Sequence, residues 1–329
     1  MGRVASVDER PETSAHPSGL TRTDDYAKSD GEWLRIDWSQ RVRRLTVESE
    51  SGNTTVNYVE SGEGPPVLMV HGLGGSWRNW LENMPYLARN HRVIALDLPG
   101  FGTSPLPDRQ VTIDSYGDFL VEFANALDLD SQTALVGHSM GGFIATEAAI
   151  ARPERFSSLV LVAAAGITYA SIKPSQKDMA KVIVKAMMPI ASGSLERGFT
   201  RSRLRSAQFA GVFAHPTRIS REMLWELGSY AMDAPGLIQA AYALTGYDTR
   251  DRLSEIRIPT LLIWGNRDLL VPVPAAFAYR RKIPDAELSL LDETGHMIQM
   301  ERPARFNDDV EEFIDRRRRE GLDAPADRE

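Results

Sequence analysis

Short apolar runs recur along the chain, and segments of helical periodicity separate most of them. The first two runs flank Ser51-Gly52-Asn53 and are typical of a β-hairpin, whereas the later runs suit strands buried in a parallel sheet. In order, the predicted strands cover residues 43–48, 54–59, 67–70, 93–96, 133–136, 159–162, 261–264 and 288–291. This alternation indicates βαβ units, and it therefore predicts an α/β fold with a mostly parallel sheet and helices on both of its faces.

One connection is far longer than a crossover between parallel strands requires. About a hundred residues separate the strand near residue 162 from the strand that starts at 261. Two groups of apolar residues inside it have helical spacing: Met179, Val182, Ile183, Ala186, Met187 and Ile190, then Met223, Leu224, Leu227 and Tyr230. The pattern predicts a helical cap over residues 167–234. Its methionines and aromatic residues either pack within the cap or line an apolar substrate pocket.

The cap divides the predicted core into two parts, residues 32–166 and 235–315. Residues 1–31 are polar and rich in Pro, Ser, Thr and Asp, which predicts a disordered N-terminal tail. Residues 316–329 are expected to form a C-terminal tail that starts as a fraying helix tip. An apolar cluster follows the N-terminal tail and is expected to dock on the core; it consists of Trp33, Leu34, Ile36 and Trp38.

Composition and charge exclude several kinds of function. The 329 residues include 38 Lys and Arg against 45 Asp and Glu, so the net charge of −7 disfavours binding to nucleic acid. The absence of cysteine excludes disulfides, thiolate nucleophiles and cysteine-ligated metals. No secretory signal and no bilayer-spanning apolar stretch are visible, so we expect a cytoplasmic protein without stable membrane insertion.

A Gly-x-Ser-x-Gly motif lies between a predicted strand and a predicted helix. The strand at 133–136 runs into Gly137-His138-Ser139-Met140-Gly141, and a helical pattern follows from residue 143. Glycine is needed where the turn is too sharp for a Cβ, and such a turn raises the serine hydroxyl above the sheet. The helix N-terminus there favours developing negative charge. We therefore predict that Ser139 is a catalytic nucleophile.

A serine nucleophile needs a base, and the base needs a group that orients it. His296 follows the strand at 288–291, at the sheet edge where ligands bind in open α/β sheets. The carboxylate just past the preceding strand is Asp268, whereas Asp292 and Glu293 are too close in sequence to His296 to orient it well. A capping histidine and an aspartate bonded to its own turn are the structural alternatives. The chain order predicts a triad of Ser139, Asp268 and His296.

Acyl transfer also needs N–H donors for the tetrahedral oxyanion. One predicted donor is the backbone N–H of Met140, directly after the nucleophile. The other is the backbone N–H of Leu73, in the glycine-rich loop 71–76 that follows a predicted strand. A phosphate-binding loop is the competing interpretation, but neither G-x-G-x-x-G nor a following G-K-[ST] is present.

Several motifs in this order make the sequence similar to the α/β-hydrolase superfamily. They are His71-Gly72, the segment Asp97-Leu98-Pro99-Gly100-Phe101-Gly102-Thr103-Ser104, the serine motif, Trp264-Gly265-Asn266-Arg267-Asp268 and Gly295-His296, and the resemblance covers most of residues 43–313. It implies an eight-stranded sheet with a helical cap inserted after strand six. It also implies that the residue after His-Gly is an oxyanion donor, which supports Leu73. The branch that it resembles contains capped bacterial esterases, lipases and carbon–carbon bond hydrolases.

The resemblance narrows the expected reaction. Dehalogenases and epoxide hydrolases of this superfamily have Asp where this chain has Ser139, so we expect neither activity. We expect a carboxylesterase that acts on small-molecule esters of moderately apolar acyl groups through an acyl-enzyme, with no metal and no organic cofactor. Trp77 and Trp80 either shape the pocket or pack beneath the cap. The sequence predicts neither the substrate-binding residues nor the oligomeric state.

Three other functions remain open at this stage. A lactonase or a carbon–carbon hydrolase of ring-fission products uses the same triad, and the latter needs cations for a substrate carboxylate. The candidates for that role are Arg78, Arg197, Arg201, Arg203 and Arg205, although a solvated face explains them equally well. A receptor that binds ligand without turnover is the alternative from another class, and the complete set of triad residues disfavours it.

Overall fold

A computed structural model describes residues 25–48, 52–108, 110–166, 202–231 and 234–323. Its sheet has the strand order β1-β2-β4-β3-β5-β6-β7-β8. The strands are β1 (Val42–Val47), β2 (Thr54–Ser61), β3 (Pro66–Val70), β4 (Arg92–Leu96), β5 (Ala134–His138), β6 (Ser158–Val162), β7 (Thr260–Gly265) and β8 (Ala286–Leu291). The pairs β1–β2 and β2–β4 are antiparallel, and the other neighbours are parallel. The predicted α/β fold with a mostly parallel eight-stranded sheet is confirmed.

Helices connect and cover the strands. In the described residues they are α1 (Met84–Leu87), α2 (Ile113–Ala126), α3 (Met140–Ala151), α4 (Ser202–Phe209), α5 (Arg221–Ala231), α6 (Leu237–Leu244), α7 (Pro274–Lys282), α8 (Ile298–Glu301) and α9 (Pro303–Asp323). Helices α2 and α3 pack together, α3 packs on β5 and β6, and α7 packs on β7 and β8. No helix in these ranges combines the length and the apolar character that crossing a bilayer requires.

The central strands bring the chemistry-bearing loops to one edge of the sheet. Every residue of β3, β5, β6 and β7 is buried, which explains their continuous apolar runs. In the parallel register Val70 is opposite Gly137, and Gly137 is opposite Leu161. The loops after β3, β5 and β6 therefore leave the sheet side by side at the carboxyl ends of the strands.

Helices fill the described part of the long connection between β6 and β7. The spacing of Met223, Leu224, Leu227 and Tyr230 predicts a helix, and these residues lie in α5. Both Met223 and Leu224 are buried. The helix predicted around residues 179–190 lies outside the described residues. The helices α4 and α5 lie in the connection where the cap is predicted, and the cap with its limits at 167 and 234 stays a prediction.

The N-terminal segment differs from the expectation of a disordered tail through residue 31. Tyr26 is only 3% exposed, and the N–H of Ala27 donates to the carbonyl of Glu301 over 2.7 Å. The expectation is therefore wrong from residue 25 onwards, because an aromatic side chain in an otherwise polar stretch is buried against the core. The apolar cluster docks in part: Trp33 is buried and the Trp38 ring lies 5.5 Å from that of Trp77, whereas Leu34 is 58% exposed.

The boundary between the core and the C-terminal tail also differs from the predicted one. Residues 316–323, expected to be a tail, continue α9 to Asp323. Arg316 and Arg317 each bind Glu287 of β8 at 2.7 Å. These ion pairs fix the helix end against the edge of the sheet, so this part of the predicted tail belongs to the core.

Candidate active site

Ser139 stands at the tight turn between β5 and α3. Its φ of 53° and ψ of −116° are unusual for a residue with a side chain, and its N–H donates to the carbonyl of Val162 over 2.9 Å. A Cβ at Gly137 would overlap the carbonyl of Gly141, and a Cβ at Gly141 would overlap the carbonyl of Val70. The two glycines of the motif are therefore required by backbone packing, and they hold Ser139 in its strained conformation.

His296 and Asp268 meet as the sequence predicts. The imidazole Nδ1 lies 2.8 Å from Oδ2 of Asp268, and both side chains are buried. The other carboxylate oxygen accepts the N–H groups of Leu270 and Val271, each at 2.8 Å. Because the ionised carboxylate only accepts hydrogen bonds, Nδ1 carries the proton and Nε2 has a lone pair available. This tautomer is the one that a general base requires.

His138 connects two segments of the site. They are the serine turn (residues 137–141) and the histidine loop (residues 292–297). Its Nε2 lies 3.0 Å from the carbonyl oxygen of His296, so this nitrogen carries the proton and donates it. The two rings pack at a centroid distance of 4.7 Å. Burial lowers the pKa of His138 well below its usual value, which keeps the ring neutral. The residue before Ser139 thus holds the backbone of His296, although the described contacts include no hydrogen bond from the Ser139 hydroxyl itself.

The backbone segments of the two predicted oxyanion donors lie next to Ser139. A Cβ built on Gly72 would stand 3.0 Å from the Cβ of Ser139, which places the loop of Leu73 beside the nucleophile. Met140 is the first residue of α3. Neither Leu73 nor Met140 donates its N–H to another described backbone carbonyl outside the regular elements. Both positions are compatible with the predicted role.

A buried histidine and a buried aspartate fix the loop after β3. Nε2 of His71 accepts the N–H of Leu98 at 3.0 Å, and its Nδ1 therefore donates to the carbonyl of Gly72 at 2.7 Å. Burial lowers the pKa of His71 to about 4, so the ring is neutral at pH 7. The carboxylate of Asp97 accepts the N–H of Trp77 at 2.9 Å. These bonds set the path of the loop past Ser139.

Comparison with known proteins places the chain in a family. Residues 65–303 match the family described as "alpha/beta hydrolase fold". The chain belongs to the α/β-hydrolase family. The match covers β3 to β8, the turn of Ser139 and the loop of His296.

Individual relatives of this α/β-hydrolase carry different activities in their names. Over 273 residues it is 32% identical to 2-hydroxymuconate semialdehyde hydrolase from Pseudomonas sp. (strain CF600), covering 78% of this chain and 89% of that one. It is 32% identical over 281 residues to a dihydrolipoyllysine-residue acetyltransferase component of the acetoin cleaving system from Pseudomonas putida, covering 81% and 68%. A thermophilic esterase from Thermogutta terrifontis superimposes with a TM-score of 0.70 at 25% identity, covering 84% and 99%.

Of the arginines considered as partners for a substrate carboxylate, the structure of this α/β-hydrolase describes the side chain of Arg78. Nε of Arg78 pairs with Glu226 of α5 at 3.0 Å, and the guanidinium lies 4.3 Å from the centre of the Trp77 ring. Arg78 thus joins the loop after β3 to α5 and is partly neutralised by a carboxylate. Positions 197 and 201, and the side chains at 203 and 205, lie outside what the structure describes.

The two tryptophans near the oxyanion loop are packing residues. Trp77 and Trp80 are fully buried. Trp77 contacts Trp38, and the Trp80 ring lies 6.1 Å from that of Phe306. These contacts support packing rather than a pocket wall, although the partners lie in the N-terminal segment and in α9 and not in the predicted cap. Within the described residues, no cluster of three His, Asp or Glu side chains is arranged to hold a metal ion.

Sequence reasoning missed three residues that organise the site. His71 and His138 lie in sequence motifs that indicate no role for either side chain, and Glu301 lies in none of these motifs. Each acts on backbone groups of another loop, so local periodicity carries no signal for it. The one signal in the sequence is charge, because Glu301 lies between the apolar residues Met297, Ile298 and Met300 and Pro303, and it is buried here.

Proposed function

We propose that the protein is a serine hydrolase that cleaves carboxylic esters through an acyl-enzyme. The hydrogen bond between His296 and Asp268 carries this proposal, because it sets the tautomer that a general base needs. His138 ties the loop of that base to the turn that presents Ser139. Membership of the α/β-hydrolase family supports the same assignment.

In the proposed acylation step, Nε2 of His296 takes the hydroxyl proton of Ser139 while Oγ attacks the ester carbonyl. The N–H groups of Leu73 and Met140 donate to the oxyanion, and Asp268 stabilises the imidazolium. His296 then gives its proton to the alcohol oxygen as the carbon–oxygen bond breaks. In deacylation, water loses a proton to His296 and attacks the acyl carbon, and Ser139 regains its hydroxyl as the acid departs.

The proposed substrates are esters with a moderately apolar acyl group. The esterase from Thermogutta terrifontis supports an ester substrate. The pairing of Arg78 with Glu226 favours an uncharged substrate, because this guanidinium already faces a carboxylate. Cleavage of a carbon–carbon bond is the second candidate, and the 32% identity to 2-hydroxymuconate semialdehyde hydrolase favours it.

The decisive experiment compares the wild type with Ser139→Ala on p-nitrophenyl esters of short, medium and long acyl chains. We expect p-nitrophenol release by the wild type and a loss of at least about 10³-fold in the variant. Ser157→Ala is the matched control, since its hydroxyl donates to the carbonyl of Gln132 away from the site. Wild-type turnover in Ser139→Ala would refute the assignment. Turnover of a ring-fission product without turnover of aryl esters would select the second candidate.

A further inference from the structure

Glu301 binds the backbone on both sides of His296 in the chain. Its carboxylate is fully buried, and it accepts the N–H of Gly295 at 3.0 Å and the N–H of Met297 at 3.2 Å. These are the two neighbours of His296 in the chain. A single carboxylate thus restrains the backbone on each side of the proposed base.

The same carboxylate also binds the described cap segment 212–215. Oε2 of Glu301 accepts the N–H of Ala214 at 2.8 Å. The N–H of His296 in turn donates to the carbonyl of Val212 at 2.9 Å. The loop of His296 and cap segment 212–215 are therefore joined in two ways. One is the direct bond from His296 to Val212, and the other is the carboxylate of Glu301, which binds both segments.

Tyr26 completes this arrangement from the N-terminal segment. Its hydroxyl donates to Oε2 of Glu301 at 2.5 Å and accepts the N–H of His215 at 3.0 Å. The ring meets that of His215 edge-on at 5.1 Å, and the guanidinium groups of Arg218 and Arg302 each lie 5.1 Å from its centre. One hydroxyl therefore connects the N-terminal segment, the cap segment and Glu301.

We propose that Tyr26 and Glu301 are positioning residues that hold His296 in register with Ser139 and with cap segment 212–215. This proposal rests on the proposed role of His296 as general base. Tyr26 precedes residues 65–303 that match the family, so its assignment comes from the contacts of this chain. The pair acts through backbone hydrogen bonds and touches neither the substrate nor the reacting atoms.

The hydroxyl matters beyond the packing of the ring. Without it, the N–H of His215 and one lone pair of Glu301 would both lose their partner in a buried place. Burial raises the pKa of Glu301, and the hydrogen bond from Tyr26 opposes that rise. The hydroxyl thus favours the ionised carboxylate, which is the form that accepts all of these N–H groups. Small displacements of a catalytic group lower the rate steeply, so loss of this hydroxyl is expected to lower kcat.

The test is Tyr26→Phe in the full-length chain, with Tyr86→Phe as the matched control. Tyr86 also donates to a carboxylate, that of Asp308 at 2.9 Å, and also lies beneath a guanidinium, that of Arg89 at 5.2 Å. We expect Tyr26→Phe to lower kcat about 10-fold with KM changed less than about 2-fold, because a displaced base slows chemistry more than binding. Tyr86→Phe should keep the kcat of the wild type.

A second variant, Glu301→Gln, tests the other member of the pair. A Gln amide has the same shape, but its NH₂ group cannot accept the N–H that faces it. We expect kcat to fall about 100-fold, and the double variant with Tyr26→Phe to be no slower than Glu301→Gln, since both changes act through one carboxylate. The rate at which an organophosphonate inactivates the enzyme should fall in parallel, because it reports the activation of Ser139 by His296.

The outcomes separate this proposal from the proposed function. If Ser139→Ala abolishes turnover while Tyr26→Phe keeps wild-type kcat, the positioning role is wrong and the serine mechanism stands. A lower Tm in Tyr26→Phe with unchanged kcat and unchanged inactivation rate would likewise reduce the hydroxyl to a stabilising contact. If Ser139→Ala retains turnover, the proposed function fails and the positioning role fails with it.

Discussion

The serine turn and the histidine loop reach the same edge of the sheet by opposite means. The turn is fixed by its own sequence, since Gly137 and Gly141 lie within two residues of Ser139 and permit a backbone contact that a Cβ would block. The loop is held by nearby Glu301 and also by groups that are remote in the chain. Its hydrogen-bond partners Asp268 and Val212 lie 28 and 84 positions before His296. A motif can therefore reveal the nucleophile, whereas the position of the base depends on the whole fold.

The largest effect that sharpens this comparison is expected from Asp268→Asn. The amide oxygen would stay at the Oδ1 position, where it accepts from Leu270 and Val271. The NH₂ group would then face Nδ1 of His296, which would have to accept and would carry its proton on Nε2 instead. That tautomer cannot act as the base. We expect kcat to fall about 10³- to 10⁴-fold with little change in Tm, measured by ester turnover and thermal unfolding.

Asp292→Asn is the control for that change. Asp292 is close to His296 in sequence, but its carboxylate accepts a hydrogen bond from the side chain of Asn266 at 2.8 Å. We expect its kcat to stay within about threefold of the wild type, because a partly exposed hydrogen bond contributes little to a distant step. Equal losses in the two variants would contradict the assignment of Asp268 as the residue that orients His296.

The next largest effect is expected from Gly137→Ala. This variant tests whether the serine turn is fixed by its own glycines. The added Cβ would meet the backbone of Gly141 in the following turn, and backbone cannot move aside as a flexible side chain can. We expect the free energy of unfolding to fall by at least about 3 kcal/mol, with loss of activity. Chemical denaturation measures it.

Gly211→Ala is the matched glycine control. A Cβ at Gly211 would meet nothing within 4 Å, and this position has no positive φ. The same substitution should therefore change the free energy of unfolding by less than about 1 kcal/mol. If Gly137→Ala were as stable as Gly211→Ala, the conformation of the serine turn would not depend on its glycines.

The sequence allowed the local parts of the fold and site to be predicted well. Each strand lies within two residues of a predicted apolar run, because burial on both faces leaves a continuous apolar signature. Asp268 and His296 could be predicted to meet because both follow strand ends that a parallel sheet brings to one edge. The contact itself is now seen, at 2.8 Å.

The remaining contacts were hidden because they join side chains to the backbone of remote loops. Tyr26 lies in a stretch whose composition is typical of disorder, and only its burial against Glu301 shows its contribution. The sequence around His138 is typical of a glycine turn, yet its Nε2 donates to the carbonyl of His296, 158 positions later. Neither contact has a periodicity, since each depends on which loops the fold brings together.

The smallest expected effect concerns His71, which anchors the loop on the serine side and couples it to pH. Its pKa is lowered to about 4 by burial, whereas an unfolded histidine titrates near 6.5. The unfolded chain therefore binds more protons between these values, and the stability contributed at higher pH is lost as pH falls through this window. From pH 7 to pH 5 the loss from this one group is about 2 kcal/mol.

His71→Gln removes that titration while keeping a side chain able to donate and to accept. Buried His138 has a pKa lowered in the same direction, so the wild type and the variant both lose stability on acidification. The difference between their unfolding free energies, measured by denaturant titration from pH 8 to pH 5, isolates the share of His71. A shallower curve for His71→Gln is expected. Parallel curves would mean that His71 is not held neutral, and its Nε2 would then be unable to accept the N–H of Leu98 that fixes the loop beside Ser139. In that case the serine side of the site would depend on its glycines and on the bond from Trp77 to Asp97, and less of its geometry would depend on His71.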